Sequence, residues 1–415
     1  MRVPAVSCYF IASLMVTTVT SFADPRNRAL PSEGCDGVVR VSSGGYYGTG
    51  VLLYDGQAVL TAAHLFSHGR LSASVRFETA GGIQVISSSC VLLAPFYDQD
   101  GSGDLALVWL GQTAPLAAER YTLFRGSDDI GQVAMLVGYG LPGSGTAGAL
   151  TGYASSDLRL KTENRMDIDI GSLLAKMGAS LTWTAPAESQ LLADFDDGSI
   201  IHDALGQLLN VYDAGLGVNE GLIAPGDSGG PAFINGQVAG IASYTASLYQ
   251  GSIYPDIDAN LNSSFGEISA WQRVSYYQQW IDQSLRTHYP DAPTKAEEVK
   301  KAVPEGSSGT TLAYFLLQFT GVRSDPNQIL SVDFATRDGT ATAGQDYVAV
   351  HGTLKLYPRE SQAVIPVEII GDTTPEPDEN FYLDVTNPVG GSFGDGVVQL
   401  TGVRTIVSDD GGAVA

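Results

Sequence analysis

The chain has 415 residues, 44% of them hydrophobic and 16% charged, with a formal net charge of −23. That length supports two or three domains with sizeable cores, and the hydrophobic share excludes a disordered chain. The acidic balance excludes nucleic acid as a partner, because neutralising phosphates takes a basic face.

Residues 1–23 read as a secretory signal. Arg2 gives a minimal positive start, Val6 to Val19 is mostly apolar, and Ser21-Phe22-Ala23 offers small residues for a cut after Ala23. A secreted location, extracellular or periplasmic, is the expectation. No other run is long and apolar enough to cross a bilayer, so no membrane span is expected after cleavage. That cut removes Cys8 and leaves Cys35 and Cys90, which an oxidising compartment is expected to pair. Closing a loop of about 55 residues would contribute roughly 4 kcal/mol in the chain-entropy picture.

Beyond the leader, closely spaced turn signals and short apolar runs predict an all-β chain. Val38 to Val41, Gly48 to Leu53 and Ala58 to His64 read as successive strands. Leu71 to Phe77, Ile83 to Ser87, Cys90 to Ala94 and Asp104 to Leu110 follow them. Regular short strands of this kind suggest a sandwich or barrel. Residues 141–225 are less regular, with an amphipathic piece near Leu173 to Met177. The acidic run Asp194-Phe195-Asp196-Asp197-Gly198 starts like a calcium loop but lacks the later ligand spacing, so it is expected to be an exposed turn. Ala232 to Ile234 and Val238 to Ala242 flank Asn235-Gly236, a strong hairpin signal. Val274 to Leu285 has helical periodicity. Residues 287–303, with two prolines and mixed charge, read as a linker. From Ala296 to the end seventeen acids face seven bases.

The chemistry centres on Gly226-Asp227-Ser228-Gly229-Gly230-Pro231. A serine between glycines becomes a nucleophile only with a base to take its proton, a group to orient that base, and donors for an oxyanion. His64 closes Thr61-Ala62-Ala63, and Asp104 opens Leu105-Ala106-Leu107. The order His, Asp, Ser is one of the orders in which this geometry occurs. Together the three stretches resemble the signatures of chymotrypsin/trypsin-like serine proteases. Gly138-Tyr139-Gly140, Gly240 to Tyr244 and Arg273 to Ile281 resemble supporting elements of the same family.

The likeness covers about residues 34–286 and implies a two-barrel, chymotrypsin-like domain acting on protein or peptide substrates. It gives His64, Asp104 and Ser228 the triad roles and makes Gly226 and Ser228 the backbone donors of the oxyanion hole, with no cofactor for catalysis. Residues 141–225 exceed the usual length for their region and imply an enlarged insert. No typical mature N-terminus is visible, although Asp227 stands where the family binds one; a cut after Arg28 is the basic site on offer. Leu222, Ser243 and Thr245 fall at the specificity-pocket positions. With Leu222 in place of an acid, the resemblance implies no strong preference for Arg or Lys and a restricted, apolar pocket. A non-catalytic binding or adhesive scaffold on the same fold is the competing reading.

Residues 304–410 resemble a Calx-beta domain, an immunoglobulin-like sandwich. The matching residues are Val332 to Thr336, Asp338 to Gly344, Asp346-Tyr347, Ile370 to Asp372, Glu376, Asp378 to Phe381 and Ile406 to Asp410. The resemblance implies calcium bound by Glu305, Asp346, Asp372, Glu376, Asp409 and Asp410, with Glu379 as a further candidate. It also implies cell-surface or matrix contacts through this module.

Overall fold

A computed structural model describes residues 17–20, 27–98, 101–150, 157–178, 181, 183–258 and 260–410. The leader sequence and its cut after Ala23 lie outside these residues, apart from the backbone strand Thr17–Thr20, which pairs antiparallel with Leu222–Ala224. The chain divides into two compact units, one of Met1–Leu53 with Gln57–Trp280 and one of Tyr54–Gly56 with Ile281–Ala415.

In the first unit, Val38–Ser43, Tyr46–Leu52, Ala58–Thr61, Ala106–Leu110, Gly82–Leu93 and Ser74–Thr79 close into a six-stranded barrel in that order. Valines and leucines at alternating positions turn inward, so Val39, Val41, Val59, Val75, Phe77 and Val108 share one core. The two strands expected from Ile83 and from Cys90 are one continuous strand with an irregularity between Ser88 and Cys90. Such a bulge re-aims a strand without ending it.

The second sheet has seven strands in the order Leu160–Arg165, Val133–Gly138, Pro231–Ile234, Gln237–Ala246, Ile268–Arg273, Gln190–Asp194 and Ile168–Asp169. Its Pro231–Ile234 and Gln237–Ala246 hairpin turns through Asn235 and Gly236, with φ of 51° and 75°. Left-handed conformations at both central residues match the right-handed twist of the flanking strands. Three strands of this sheet, Leu160–Arg165, Ile168–Asp169 and Gln190–Asp194, lie inside the stretch read as an insert. What is added there is mainly helical. Ile170–Met177 and Ala204–Leu209 pack Leu173, Met177, Leu205 and Leu209 against Leu192, Tyr244 and Ala270 of the sheet. Both helices begin on an aspartate cap, Asp169 accepting from Ser172 N and Asp203 from Gly206 N.

The expected Cys35–Cys90 bond is absent. Cys35 is buried ahead of the first strand, whereas Cys90 is exposed on Gly82–Leu93, and both are free thiols. A buried Arg159 fastens this entrance instead, donating to Asp36 Oδ1 at 2.6 Å and to Glu78 O at 3.0 Å.

The second unit is a β-sandwich. Its larger sheet orders Ala302–Pro304, Gln399–Val407, Glu379–Val389, Leu330–Asp338 and His351–Leu356; Thr310–Gln318 pairs with Gln362–Ile370 in the other. Its first strand, Ala302–Pro304, begins inside the stretch read as linker and runs parallel to Gln399–Val407. Phe315, Val332, Ile365, Val367 and Leu383 fill the core, where the Tyr347 and Phe381 rings stack 4.6 Å apart.

Candidate active site and carboxylate clusters

The strand Ala58–Thr61 ends before the histidine, and a single 3₁₀ turn, Ala63–Phe66, carries His64 out of the barrel. Asp104 stands two residues ahead of Ala106–Leu110 and is 2% exposed. Its Oδ1 accepts the His64 backbone N–H at 2.8 Å, and its Oδ2 lies 2.7 Å from His64 Nδ1. Two contacts to one residue fix both the backbone and the ring.

Burial alone would raise the Asp104 pKa. The His64 charge and hydrogen bonds from His64 and Ser243 outweigh it and hold the carboxyl below its usual range. For His64, burial opposes the charged ring. The Asp104 charge and its hydrogen bond overcome that and raise the histidine above its ordinary value.

Asp104 has further support that the sequence did not disclose. Ser243 Oγ donates to Asp104 Oδ2 at 2.7 Å and accepts from Gln272 Nε2 at 3.2 Å. Gln272 also donates to Gly101 O at 2.7 Å, as Gln190 Nε2 does at 3.0 Å. Tyr244 OH donates to Gln190 Oε1 at 2.7 Å. These residues come from three neighbouring strands, so the network closes only once the sheet forms.

The serine loop is covered rather than protruding: Gly226 through Pro231 are all buried, with Ser228 at 2% exposure. Thr49 of the first barrel pins it. Its N–H donates to Ser228 O at 2.8 Å and its Oγ1 to Gly226 O at 2.8 Å, while Oγ1 accepts from Tyr139 N at 3.0 Å. Inside the loop, Asp227 N, Gly229 N and Gly230 N are taken by Ala224 O, Ala242 O and Asp227 O. Gly226 and Gly229 have φ of 110° and 83°, and a Cβ on Gly229 would come within 2.1 Å of Thr61 Oγ1. Only glycine fits there.

Asp227 is 1% exposed and accepts from Gly140 N at 2.9 Å and Ala224 N at 3.1 Å. No cationic side chain among the described residues pairs with it, and burial raises its pKa well above the carboxylate range. Ala29, which follows the candidate cut, is buried and donates its N–H to Arg159 O at 3.0 Å. Of the specificity positions, Leu222 is fully buried in a core with Leu136, Met166 and Leu191. Thr245 is buried opposite Ser269, and the Ser243 hydroxyl is held by Asp104.

In the sandwich, carboxylate oxygens of Asp346, Glu376 and Glu379 lie within 4.8 Å of one another. Glu305, Asp346, Glu376 and Glu379 line one cavity with Ile406 and Ser408. Burial, with Asp346 and neighbouring acids, pushes Glu379 up to about 7. Asp372 and Asp410 bear on Glu305 through their charge. Asp372 Oδ1 accepts from Thr374 N at 2.5 Å in a local turn, and Asp409 Oδ1 accepts from the sequence-distant Gly306 N at 3.1 Å, so backbone donors already use one oxygen of each. Oxygen donors alone suit a hard cation such as calcium.

The acidic turn of the first unit departs from its expectation. Asp197 faces outward to His202 at 2.6 Å, while Asp194, Asp196, Asp203 and Glu220 are each 4% exposed or less. Burial and neighbouring carboxylates push Asp196 up to about 10 and Asp194 to about 7; burial foremost pushes Glu220 to about 7.

The first unit thus holds a half-exposed His64 paired with a buried Asp104, together with a buried glycine-bounded serine loop, and the second holds a carboxylate-lined sandwich. Residues 26–162 match the Trypsin family model and residues 317–409 the Calx-beta domain. The chain carries a trypsin-family domain followed by a Calx-beta domain. The first match includes His64 and Asp104 and ends before Ser228. Among curated proteins, sodium/calcium exchanger 2 of Homo sapiens is 29% identical over 201 residues, covering 42% of this chain and 20% of the exchanger. Sodium/calcium exchanger 1 of Felis catus is 39% identical over 98 residues, covering 23% of this chain and 10% of the exchanger. The chain thus spans a fifth or less of these relatives. Among solved structures, mouse neuropsin, a serine protease, aligns with a TM-score of 0.44 at 19% identity, covering 62% of this chain and 98% of that one. No helix among the described residues is long and apolar enough to cross a membrane.

Proposed function

We propose that the chain is a secreted serine endopeptidase that hydrolyses protein or peptide substrates through Ser228, His64 and Asp104. Its Calx-beta module binds calcium in this reading. The supporting observation is the 2.7 Å contact between His64 Nδ1 and a buried Asp104 Oδ2.

In this reading the contact supports the following division of roles. A carboxylate on Nδ1 keeps the proton there, which leaves Nε2 as the base. Nε2 takes the Ser228 hydroxyl proton as Oγ bonds to the scissile carbonyl carbon. The N–H groups of Gly226 and Ser228 receive the negative charge that develops on the carbonyl oxygen. Collapse breaks the C–N bond, and His64 returns its proton to the departing amine. A water molecule repeats the sequence on the acyl-enzyme and frees Ser228. Loss of one oxyanion donor typically lowers turnover by about 10²–10³.

Leu222 at the family's acid position argues against a strong preference for Arg or Lys; because its side chain packs in the core with Leu136, Met166 and Leu191, the preference for apolar side chains rests on the resemblance alone. A panel of chromogenic peptides tests both parts of this reading. The expected result is hydrolysis after apolar residues that Ser228→Ala abolishes. Best cleavage after Arg would overturn the specificity. No turnover by the secreted, processed protein would leave the non-catalytic scaffold. Intact-mass analysis tests secretion, with a chain beginning after Ala23 as the expected product.

The calcium reading rests on Glu305, Asp346, Glu376 and Glu379, which share one cavity. Asp372 and Asp410 add negative charge near Glu305, and Asp409 enters the ligand set through the resemblance alone. The resemblance also extends to cell-surface or matrix contacts through this module, which binding to immobilised matrix proteins would test.

A further inference from the structure

The buried acids of the first unit form a second candidate metal site, remote in sequence from the Calx-beta acids. Asp194 ends the strand Gln190–Asp194, Asp196 follows two residues on, and Asp203 caps the helix Ala204–Leu209. The three are 2%, 4% and 2% exposed, and one carboxylate oxygen from each lies within 4.8 Å of the others. That spread fits one ion, since oxygens at 2.3–2.6 Å on opposite sides of calcium stand about 5 Å apart.

Part of this cluster is already satisfied. Asp194 Oδ2 accepts from Leu205 N at 2.7 Å, and Asp203 Oδ1 from Gly206 N at 2.5 Å. Glu220 Oε1 accepts from Asp196 N at 2.8 Å. Asp196 Oδ1 and Asp203 Oδ2 accept nothing among the described residues, although both are buried. Buried carboxylate oxygens without donors are costly unless a cation or proton meets them. Asp167, Asp213 and Glu220 add further negative charge. The nearby base Arg165 lies 2.5 Å from Asp213 Oδ2.

We propose that Asp194, Asp196 and Asp203 bind a calcium ion in the protease domain, independently of the Calx-beta module. An all-oxygen, strongly anionic donor set selects a hard divalent cation. Calcium tolerates its uneven spacing better than magnesium, which demands near-octahedral geometry. The site is tied to the serine loop through Asn164, whose Nδ2 donates to Asp194 O at 2.8 Å and to Gly221 O at 2.9 Å. Gly221 leads directly into Leu222–Ala224 and then Gly226.

Equilibrium dialysis of the full-length chain against calcium tests the proposal in a background carrying Asp346→Asn, Glu376→Gln and Glu379→Gln. That background is expected to retain one bound calcium, which the further pair Asp196→Asn and Asp203→Asn removes. The single variant Asp196→Asn, which preserves shape, is expected to weaken that binding at least tenfold. No calcium in the background chain would overturn the proposal, as would an affinity unchanged by Asp196→Asn. Either result would mean that protons, not a cation, neutralise the cluster, and neither bears on whether Ser228 is a nucleophile.

Discussion

Ser243 Oγ lies 2.7 Å from Asp104 Oδ2, the same oxygen that faces His64 Nδ1 at 2.7 Å. One carboxylate oxygen is therefore shared between a hydroxyl donor and the imidazole. Removing the donor with Ser243→Ala concentrates charge on the oxygen facing the ring. The His64 pKa is expected to rise, moving the acid limb of the kcat/KM profile upward in pH, with kcat reduced more than KM. Stability is expected to fall by about 1.5–3 kcal/mol, the range for hydrogen bonds to charged groups. A purely structural role would lower stability and leave the limb in place.

The His64–Asp104 pair links activity and stability to pH in opposite senses. His64 is raised when folded, so its stabilisation is complete below the unfolded histidine pKa and is lost as pH rises through the folded one. Asp104 is lowered, so its stabilisation is present above the unfolded carboxyl pKa and is lost as pH falls through the folded one. The pair is thus expected to stabilise most between the carboxylate and histidine ranges. Catalysis, which needs neutral His64, is expected to increase on the alkaline side of that window. The difference in melting temperature between the parent and Asp104→Asn, followed across pH, should peak in mildly acid solution. The same variant is expected to lose about 10⁴ in kcat through the wrong imidazole tautomer.

Thr49 joins the first barrel to the serine loop through its hydroxyl. Thr49→Val keeps the shape but strands Gly226 O and Tyr139 N, both buried partners of Oγ1. A cost of about 1–3 kcal/mol per stranded group is expected, together with slower acylation. Urea unfolding and single-turnover kinetics measure the two effects separately.

Calcium removal should act on the sandwich through Glu305, Asp346, Glu376 and Glu379. At 100 times the dissociation constant, a site binding only the folded state adds about 2.7 kcal/mol. Full-length protein is expected to melt lower in chelator than in calcium. Asp346→Asn with Glu376→Gln should reduce that difference, and an undiminished difference would place calcium elsewhere.

The triad candidates could be named from sequence because each sits in a short local pattern, although their chemistry depends on residues far apart in the chain. The Asn235-Gly236 hairpin and the helix Val274–Arg286 were legible for the same reason, through turn preference and periodicity. What surrounds Asp104 was not. Gln190, Ser243 and Gln272 lie far apart in sequence and meet only through strand pairing, and a buried glutamine carries no local mark. The acidic turn misled because Asp196 and Asp203 are brought together by a helix cap, and no fixed ligand spacing announces that. The expected disulfide failed because cysteine count carries no direction: Cys35 faces the interior and Cys90 the solvent. Nor did the serine loop carry a local mark of its burial, since Thr49, which bonds Gly226 O and Ser228 O, lies far from it in sequence.

The most direct test of the central claim is covalent labelling of the folded, secreted protein with a fluorophosphonate, read by peptide mass spectrometry. A single adduct on Ser228 is predicted, absent in Ser228→Ala and strongly slowed in His64→Ala. No adduct on Ser228, or one that forms equally fast without His64, would contradict the account.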